Sequence, residues 1–344
     1  MSSPIRLAIN GYGRIGRCLL RAWQESALRP HFDVVAIVEP SDLDSIVYLT
    51  QYDSTHGPFP ATVEQGDAGL TIEHQHIRVL QADAPESVDW AALGVDIVLE
   101  CSGRYTRRAD LRRFLDAGAP RLLLSNPGAS AEDVDATIVH GTNHDTLREG
   151  NTIVSSASCT TNAVVPVLHA LEQAYGINQA FLTTLHSVMN DQPLIDGYHH
   201  HDLRRTRSAM QSIVPVATGL AQGVERILPA LAGRVQAKSI RVPIVNVSAI
   251  DIMVNLGRGA DSEGLNGLFR QMARHRPGLI AYTDRPHASI DFNHDPHSAI
   301  VDASQTRSHG NGFANLLIWF DNEWGFVNRM LDVALAWSRI FNSQ

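Results

Sequence analysis

The run IRLAINGYGRIGRCLLRAWQES, residues 5–26, changes its period in the middle. Its first six residues form an apolar strand pattern, whereas Ile15, Leu19, Leu20 and Trp23 recur at helical spacing. Between them lies G-x-G-x-x-G, and FDVVAIVE (32–39) follows as a β-branched strand ending in a carboxylate. A bare turn is the alternative, but strand, glycine turn, helix, strand and acid in this order predict a dinucleotide-binding unit. Gly11 permits the tight turn, Gly13 lets a pyrophosphate approach the backbone, and Gly16 lets the helix pack on the strand. The helix N-terminus offers free N–H groups and the positive end of its dipole to phosphates. Glu39 is placed to accept hydrogen bonds from an adenosine ribose and to repel a 2′-phosphate. NAD is therefore expected rather than NADP.

Working outward, VDIVLECSG (95–103), PRLLLSNPG (120–128), DATIVHGTN (135–143) and NTIVSSAS (151–158) read as further strands. Intervening segments such as RRADLRRFLDAG read as helices. The alternation predicts a doubly wound parallel sheet of the Rossmann kind, with ligands at the carboxyl ends of its strands. Cys101, Ser102, Gly103, Ser125, Asn126 and Pro127 fall at such ends. They either line the nicotinamide pocket or are plain turn residues. Cys18 and Cys101 read as structural thiols.

A chain of 344 residues exceeds what one core usually carries, so two domains are expected. The net charge of −8 argues against a nucleic-acid partner. No apolar run approaches the roughly 20 residues of a membrane span, so no membrane partner is expected. MSSPIRLAIN lacks the pattern of an export signal, and three scattered cysteines suit a reducing cytoplasm. Consecutive histidines in YHHHDL (198–203) and NHDPHS (293–298) lack the spacing of a metal site, so no metal is expected.

SSASCTTNA (155–163) leads from a strand into the apolar helix pattern of VVPVLHALEQAYG, which places Cys159 on a helix N-terminus. That position favours the thiolate. Pro166 predicts a kink or a short first turn. A nucleophilic thiol wants a base, and AFLTTLHSVMNDQ (180–192) carries His186 at the end of a β-rich run. A dinucleotide unit, a helix-capping cysteine and a histidine together suit oxidation of an aldehyde through a thioester. A non-catalytic dinucleotide sensor or nucleic-acid-binding protein on the same fold is the competing class.

These residues make the chain recognisable. AINGYGRIGR, SASCTTNA, LHS, IRVP and DNEWGFVNRML resemble the glyceraldehyde-3-phosphate dehydrogenase family along nearly the whole length. HSVMNDQPLIDGYH, DLRRTR and DFNHDPHSAIVDASQTR (291–307) resemble its erythrose-4-phosphate dehydrogenase branch. The resemblance implies that Cys159 attacks the aldehyde and that His186 is the base. The Cys159 N–H and His186 would then stabilise the oxyanion. Arg14 and Ile15 would meet the pyrophosphate, Arg78 would lie near the adenine, and Asn322 would hold the nicotinamide carboxamide. Ser158, Thr160, Thr218, Gly219 and Arg241 would bind the substrate and its phosphate, with either Arg205 or Arg207 from the basic loop.

The family implies a homotetramer and, for this branch, oxidation of D-erythrose 4-phosphate to 4-phosphoerythronate for pyridoxal phosphate synthesis. The phosphorylating glyceraldehyde 3-phosphate enzyme of glycolysis is the alternative. Glyceraldehyde enzymes usually carry a phosphate-binding threonine three residues after the histidine. Here that position is Met189, which cannot donate. Ala163 stands where the family commonly has a second cysteine, so a local disulfide to Cys159 is not expected. The resulting fold is α/β: a Rossmann domain over 1–158, onto which helix 322–344 packs back, and an α+β catalytic domain over 159–321. The latter's sheet is expected to be largely antiparallel, built from QAFLTTLHSV, QAKSIRVP, VNVSAIDIMVNL, HASIDF, HSAIVDA and ANLLIWFD. DSEGLNGLFRQMARHRPG reads as a helix against it, and 189–215 as a functional loop.

Overall fold

The structure is a computed structural model that describes residues 3–199 and 202–342. The chain divides into two compact units. One holds residues up to Ser158 together with those from Val327 onward; the other is Cys159–Phe326.

The first unit is built on a nine-stranded sheet. Its parallel part comprises β1 (Ile5–Asn10) and β2 (Phe32–Val38), and a small ribbon of β3 (Tyr52–Asp53) and β4 (Gly57–Pro58) stands apart from it. Next come β5 (Val63–Gly66), β6 (Gly69–Ile72), β7 (Gln75–Leu80), β8 (Ile97–Glu100), β9 (Leu122–Leu124), β10 (Ala136–Thr137) and β11 (Ile153–Ser155). The order is β10-β11-β9-β8-β1-β2-β7-β6-β5, parallel except for the β5–β6–β7 meander at one edge. That meander, within residues 52–80, carries no strong alternation and was not anticipated. The strand read over 135–143 shrinks to two residues, because Asn143 turns back to bond Val139 N and Thr137 O, both at 2.8 Å.

Chain order reverses across β1, with β2 on one side and β8 on the other. The carboxyl ends of β1 and β8 therefore form the switch point at which such sheets bind ligands. Helix α1 (Arg14–Glu25) starts there, and Trp23 is buried and donates to Phe32 O at 3.1 Å. Helices α2 (Leu43–Gln51), α3 (Trp90–Leu93) and α4 (Arg108–Asp116) complete the crossovers. Phe114 of α4 and Trp90 of α3 tilt against each other with ring centres 5.7 Å apart.

The second unit opens with α5 (Cys159–Tyr175), which continues unbroken through Pro166 rather than stopping after a short turn. Its residues 161–168 are buried, and that packing outweighs the lost backbone hydrogen bond. The sheet comprises β12 (Ile177–His186), β13 (Val214–Val216), β14 (Val235–Arg241), β15 (Ser248–Leu256), β16 (Ile280–Thr283), β17 (Ala299–Ser308) and β18 (Phe313–Phe320). Its order is β13-β14-β12-β15-β18-β17-β16, antiparallel apart from β12–β14 and β16–β17. Helices α6 (Leu220–Ile227) and α7 (Ser262–His275) pack on it with α5. HASIDF is not a strand: Ser289–Phe292 form a 3-10 turn, closed by Asp291 accepting from Ala288 N at 2.8 Å. The strand that pairs with β17 is Ile280–Thr283 instead.

The last helix, α8 (Trp324–Phe341), begins in the second unit and runs on as part of the first. Among the described residues no helix is long and apolar enough to cross a membrane.

Candidate active site

In the first unit, β1 ends in a turn that only glycine can make. Gly11 has φ +85°, and a Cβ there would lie 2.4 Å from Ser102 Cα. A Cβ on Gly16 would lie 2.2 Å from Gly11 O, so the helix rests directly on the turn. Gly13 differs: its Cβ would meet nothing within 4 Å, and it is exposed. It is also the N-cap of α1, with no side-chain cap and no acidic residue in the first turn. A helix start without a side-chain cap or a first-turn acid, beside an open glycine, fits a dinucleotide pyrophosphate.

Glu39 follows β2 and lines the same cleft as Gly11, Gly13, Ser102 and Tyr105. Its Oε2 accepts from Tyr12 N at 2.8 Å and its Oε1 from Ser41 Oγ at 3.1 Å. The carboxylate is thus fixed at the cleft wall. The Arg14 side chain pairs with Asp53. Arg78 projects from β7 into an adjoining hollow with Leu43 and Leu80. Ser125 follows β9, and its hydroxyl faces the buried Cys101 thiol, which burial pushes above its ordinary range.

Glu100 escaped the sequence reading. It is fully buried at the end of β8, bonded by Asn10 Nδ2 and by both N–H (2.8 Å) and hydroxyl of Ser102. Burial raises its carboxyl to about 7. No local pattern marks it, since VLEC reads as an ordinary strand end.

In the second unit, Cys159 is the first residue of α5. The turn ahead of it is strained: Ala157 has φ +59°, and its N–H donates to Ser155 Oγ at 2.9 Å. Cys159 Sγ lies 3.7 Å from His186 Nε2, the contact for which the two residues were singled out. His186 Nδ1 is 2.8 Å from Ser187 O, an atom that can only accept. Nδ1 therefore carries the hydrogen, and the Nε2 lone pair faces the sulfur. Arg241 NH1 donates to the same carbonyl at 3.1 Å, which explains its 3.2 Å approach to Nδ1.

The electrostatics correct one expectation. The helix terminus does not leave the thiol acidic: burial pushes it up to about 11, against the opposing pull of Thr160 N–H and Arg241. Burial and then Arg241 pull His186 down to about 4. At neutral pH the pair is a thiol beside a neutral imidazole.

Arg205 and Arg207 separate clearly. Arg205 bonds Asp191 at 3.0 Å, and Asp191 lies 3.7 Å from Arg241, so these three form one charged cluster. Arg207 instead pairs with Asp196 at 3.0 Å, and both are largely exposed. Thr218 and Gly219 lead into α6, with Thr218 Oγ1 accepting from Leu220 N at 3.2 Å. Gly223 of α6 crosses α5 where a Cβ would lie 2.7 Å from Thr161 Oγ1, which brings the first turns of both helices together. Ser158 and Thr160 flank the nucleophile, both partly exposed. Asn322 precedes α8, and its Oδ1 accepts from Ser187 and Ser248, which no local spacing ties to it. Of the loop histidines, His294 stacks on Trp324 at 3.7 Å and His297 pairs with Asp295 at 2.7 Å. His200 and His201 lie outside the described residues.

Family comparison agrees with both halves. Residues 5–108 match the glyceraldehyde 3-phosphate dehydrogenase NAD binding domain, and residues 158–322 match the C-terminal domain of the same enzyme. NAD is thus the cofactor, and the reaction class is NAD-dependent oxidation of a phosphorylated aldehyde. The chain belongs to the glyceraldehyde-3-phosphate dehydrogenase family.

Proposed function

We propose that the chain oxidises D-erythrose 4-phosphate to 4-phosphoerythronate, with Cys159 as nucleophile and His186 as base. The observation that carries the chemistry is the 3.7 Å approach of His186 Nε2 to Cys159 Sγ, with the tautomer set by Ser187 O. The thiol proton passes to Nε2 as sulfur attacks the aldehyde carbon. The resulting alkoxide takes the proton back, giving a hemithioacetal. His186 then removes that hydroxyl proton as the carbon loses a hydride, leaving a thioester on Cys159. NAD, when bound, supplies the hydride acceptor. Attack by water on the thioester releases the acid and restores the thiol.

Arg241 and Arg205 form the anion cluster that would take the substrate phosphate, assisted by Thr160, Thr218 and Gly219. Met189, 46% exposed, stands where glyceraldehyde enzymes place a threonine. An altered phosphate site suits a substrate one carbon longer. The product fits supply of pyridoxal phosphate synthesis in the cytoplasm.

The sheet face of the second unit that carries Phe181 and Met253, register partners that are 59% and 40% exposed, supports assembly into a homotetramer. Sedimentation equilibrium finding a monomer would refute that part.

The deciding experiment compares kcat/KM for erythrose 4-phosphate and glyceraldehyde 3-phosphate, each with and without inorganic phosphate. Preference for the longer aldehyde without a phosphate requirement is expected. A phosphate requirement would make the chain a phosphorylating enzyme. Undiminished NADH formation by Cys159→Ala would refute the catalytic assignment.

A further inference from the structure

The anion cluster of the second unit contains a carboxylate that phosphate binding alone does not call for. Asp191 stands on the loop after β12, with its side chain 37% exposed. Both of its ion pairs fall on one oxygen. Oδ2 lies 3.0 Å from Arg205 NH1 and 3.7 Å from Arg241 NH2. Among the described residues Oδ1 accepts no hydrogen bond. The two guanidinium groups also have donors to spare. The side chain of Arg205 donates through NH1 alone, and so does that of Arg241, whose NH1 bonds Ser187 O at 3.1 Å beside His186.

The two arginines are held differently. Arg241 ends β14 in register with His186 and is 8% exposed, so packing fixes it. Arg205 sits on the 3-10 turn Leu203–Thr206, and among the described residues Asp191 is its one ion-pair partner. Asp191 therefore holds the loop arginine beside the fixed one while cancelling one of their two positive charges. A phosphate dianion set against both arginines also faces this carboxylate, which repels it. A hydroxyl stands in the opposite relation. It can donate to Oδ1, and a bond to an ionised acceptor is the stronger kind.

We propose that Asp191 is a specificity-determining residue that makes the cluster select phosphate esters carrying a hydroxyl near the phosphate over esters carrying none. This selection rests on Arg205 and Arg241 taking the substrate phosphate, as proposed above.

The test measures competitive inhibition of NADH formation at pH 8 by propyl phosphate and by glycerol 3-phosphate. The two match in chain length and charge and differ in their hydroxyls. The assay uses whichever of the two aldehyde phosphates the chain oxidises faster. Glycerol 3-phosphate should inhibit the unaltered chain about tenfold more tightly, the worth of one charge-assisted hydrogen bond. In Asp191→Asn the amide oxygen can still accept from Arg205, so the arginine stays while the repulsion goes. Propyl phosphate should then inhibit about tenfold more tightly, and the ratio of the two inhibitors should fall to about threefold or less. If circular dichroism shows Asp191→Asn unfolded, Asp191→Ala should lower the ratio to the same extent. A folded Asp191 variant that keeps the full ratio overturns the proposal, as does an unaltered chain without the preference. If Arg205→Ala leaves inhibition by both esters unchanged, the cluster is not the phosphate site and the reading beneath the proposal fails instead.

Discussion

Cys159 and His186 show how residue chemistry depends on surroundings that a motif does not carry. The thiol stands at about 11 and the imidazole at about 4, both moved first by burial. The thiolate fraction of the NAD-free chain should then rise about tenfold per pH unit from 7 to 10. Iodoacetamide alkylation of Cys159, followed by mass spectrometry, should show a unit slope in log rate over that range. A plateau near pH 7 would instead mean a resident thiolate–imidazolium pair. Ala163, fully buried one turn along α5, offers no partner sulfur, and Cys159 is the one cysteine between residues 159 and 326. Peroxide should therefore carry Cys159 to sulfenic and sulfinic acid. An intrachain disulfide in the intact mass would contradict this.

At the scale of elements, the three glycines of the first turn have distinct duties. Gly16→Ala puts a methyl 2.2 Å from Gly11 O and should lower both the melting temperature and NAD affinity. Gly13→Ala meets no protein atom within 4 Å and should leave the melting temperature unchanged. It should still weaken NAD binding about tenfold or more by blocking the pyrophosphate's approach. Calorimetry beside a binding titration separates the two. In the 189–215 loop, the cluster of Asp191, Arg205 and Arg241 predicts another contrast. Arg205→Ala should raise KM for the sugar phosphate about tenfold, the cost of a lost charge-assisted bond, and Arg207→Ala should change it little. Equal effects would mean that the loop acts only through net charge.

Across the whole molecule, the buried His186 and Glu100 and the partly buried His140 shape the response to mild acid. Folded His186 and His140 bind protons only near pH 4, against 6.5 when unfolded. Between those values the unfolded chain holds more protons, so stability falls as pH falls, by at most roughly 3 kcal/mol per histidine. Glu100 has the opposite sign: its folded value of about 7, against 4.5 unfolded, keeps its proton in the folded chain, and its contribution is lost as pH rises. Near pH 5.5 it cancels about one of the two protons taken up by the histidines on unfolding. Glu100→Gln removes that cancellation, so between pH 6 and 5 the variant should lose roughly 1.4 kcal/mol more stability than the unaltered chain. Urea unfolding at the two pH values measures the difference, and parallel losses would show that Glu100 is ionised throughout.

The first unit was legible because its signals are local: glycine spacing, a helical period and a terminal carboxylate lie within residues 5–39. Cys159 at a strand-to-helix junction and His186 at a strand end were legible for the same reason. What the chain alone withheld depends on distant residues meeting. HASIDF alternates like a strand but becomes a 3-10 turn because Asp291 bonds back to Ala288, while IAYT pairs with β17. Arg205 and Arg207 are indistinguishable in sequence, and only the fold of their loop against Asp191 and Asp196 tells them apart. Ser187, Ser248 and Asn322 span 135 positions, and no spacing rule joins them. The sequence determined which elements form and which side chains carry the chemistry, since both follow from near-neighbour sterics and residue type. Tertiary structure decided protonation, side-chain orientation and ion pairing, because these depend on burial and on partners that only chain closure brings within hydrogen-bond distance.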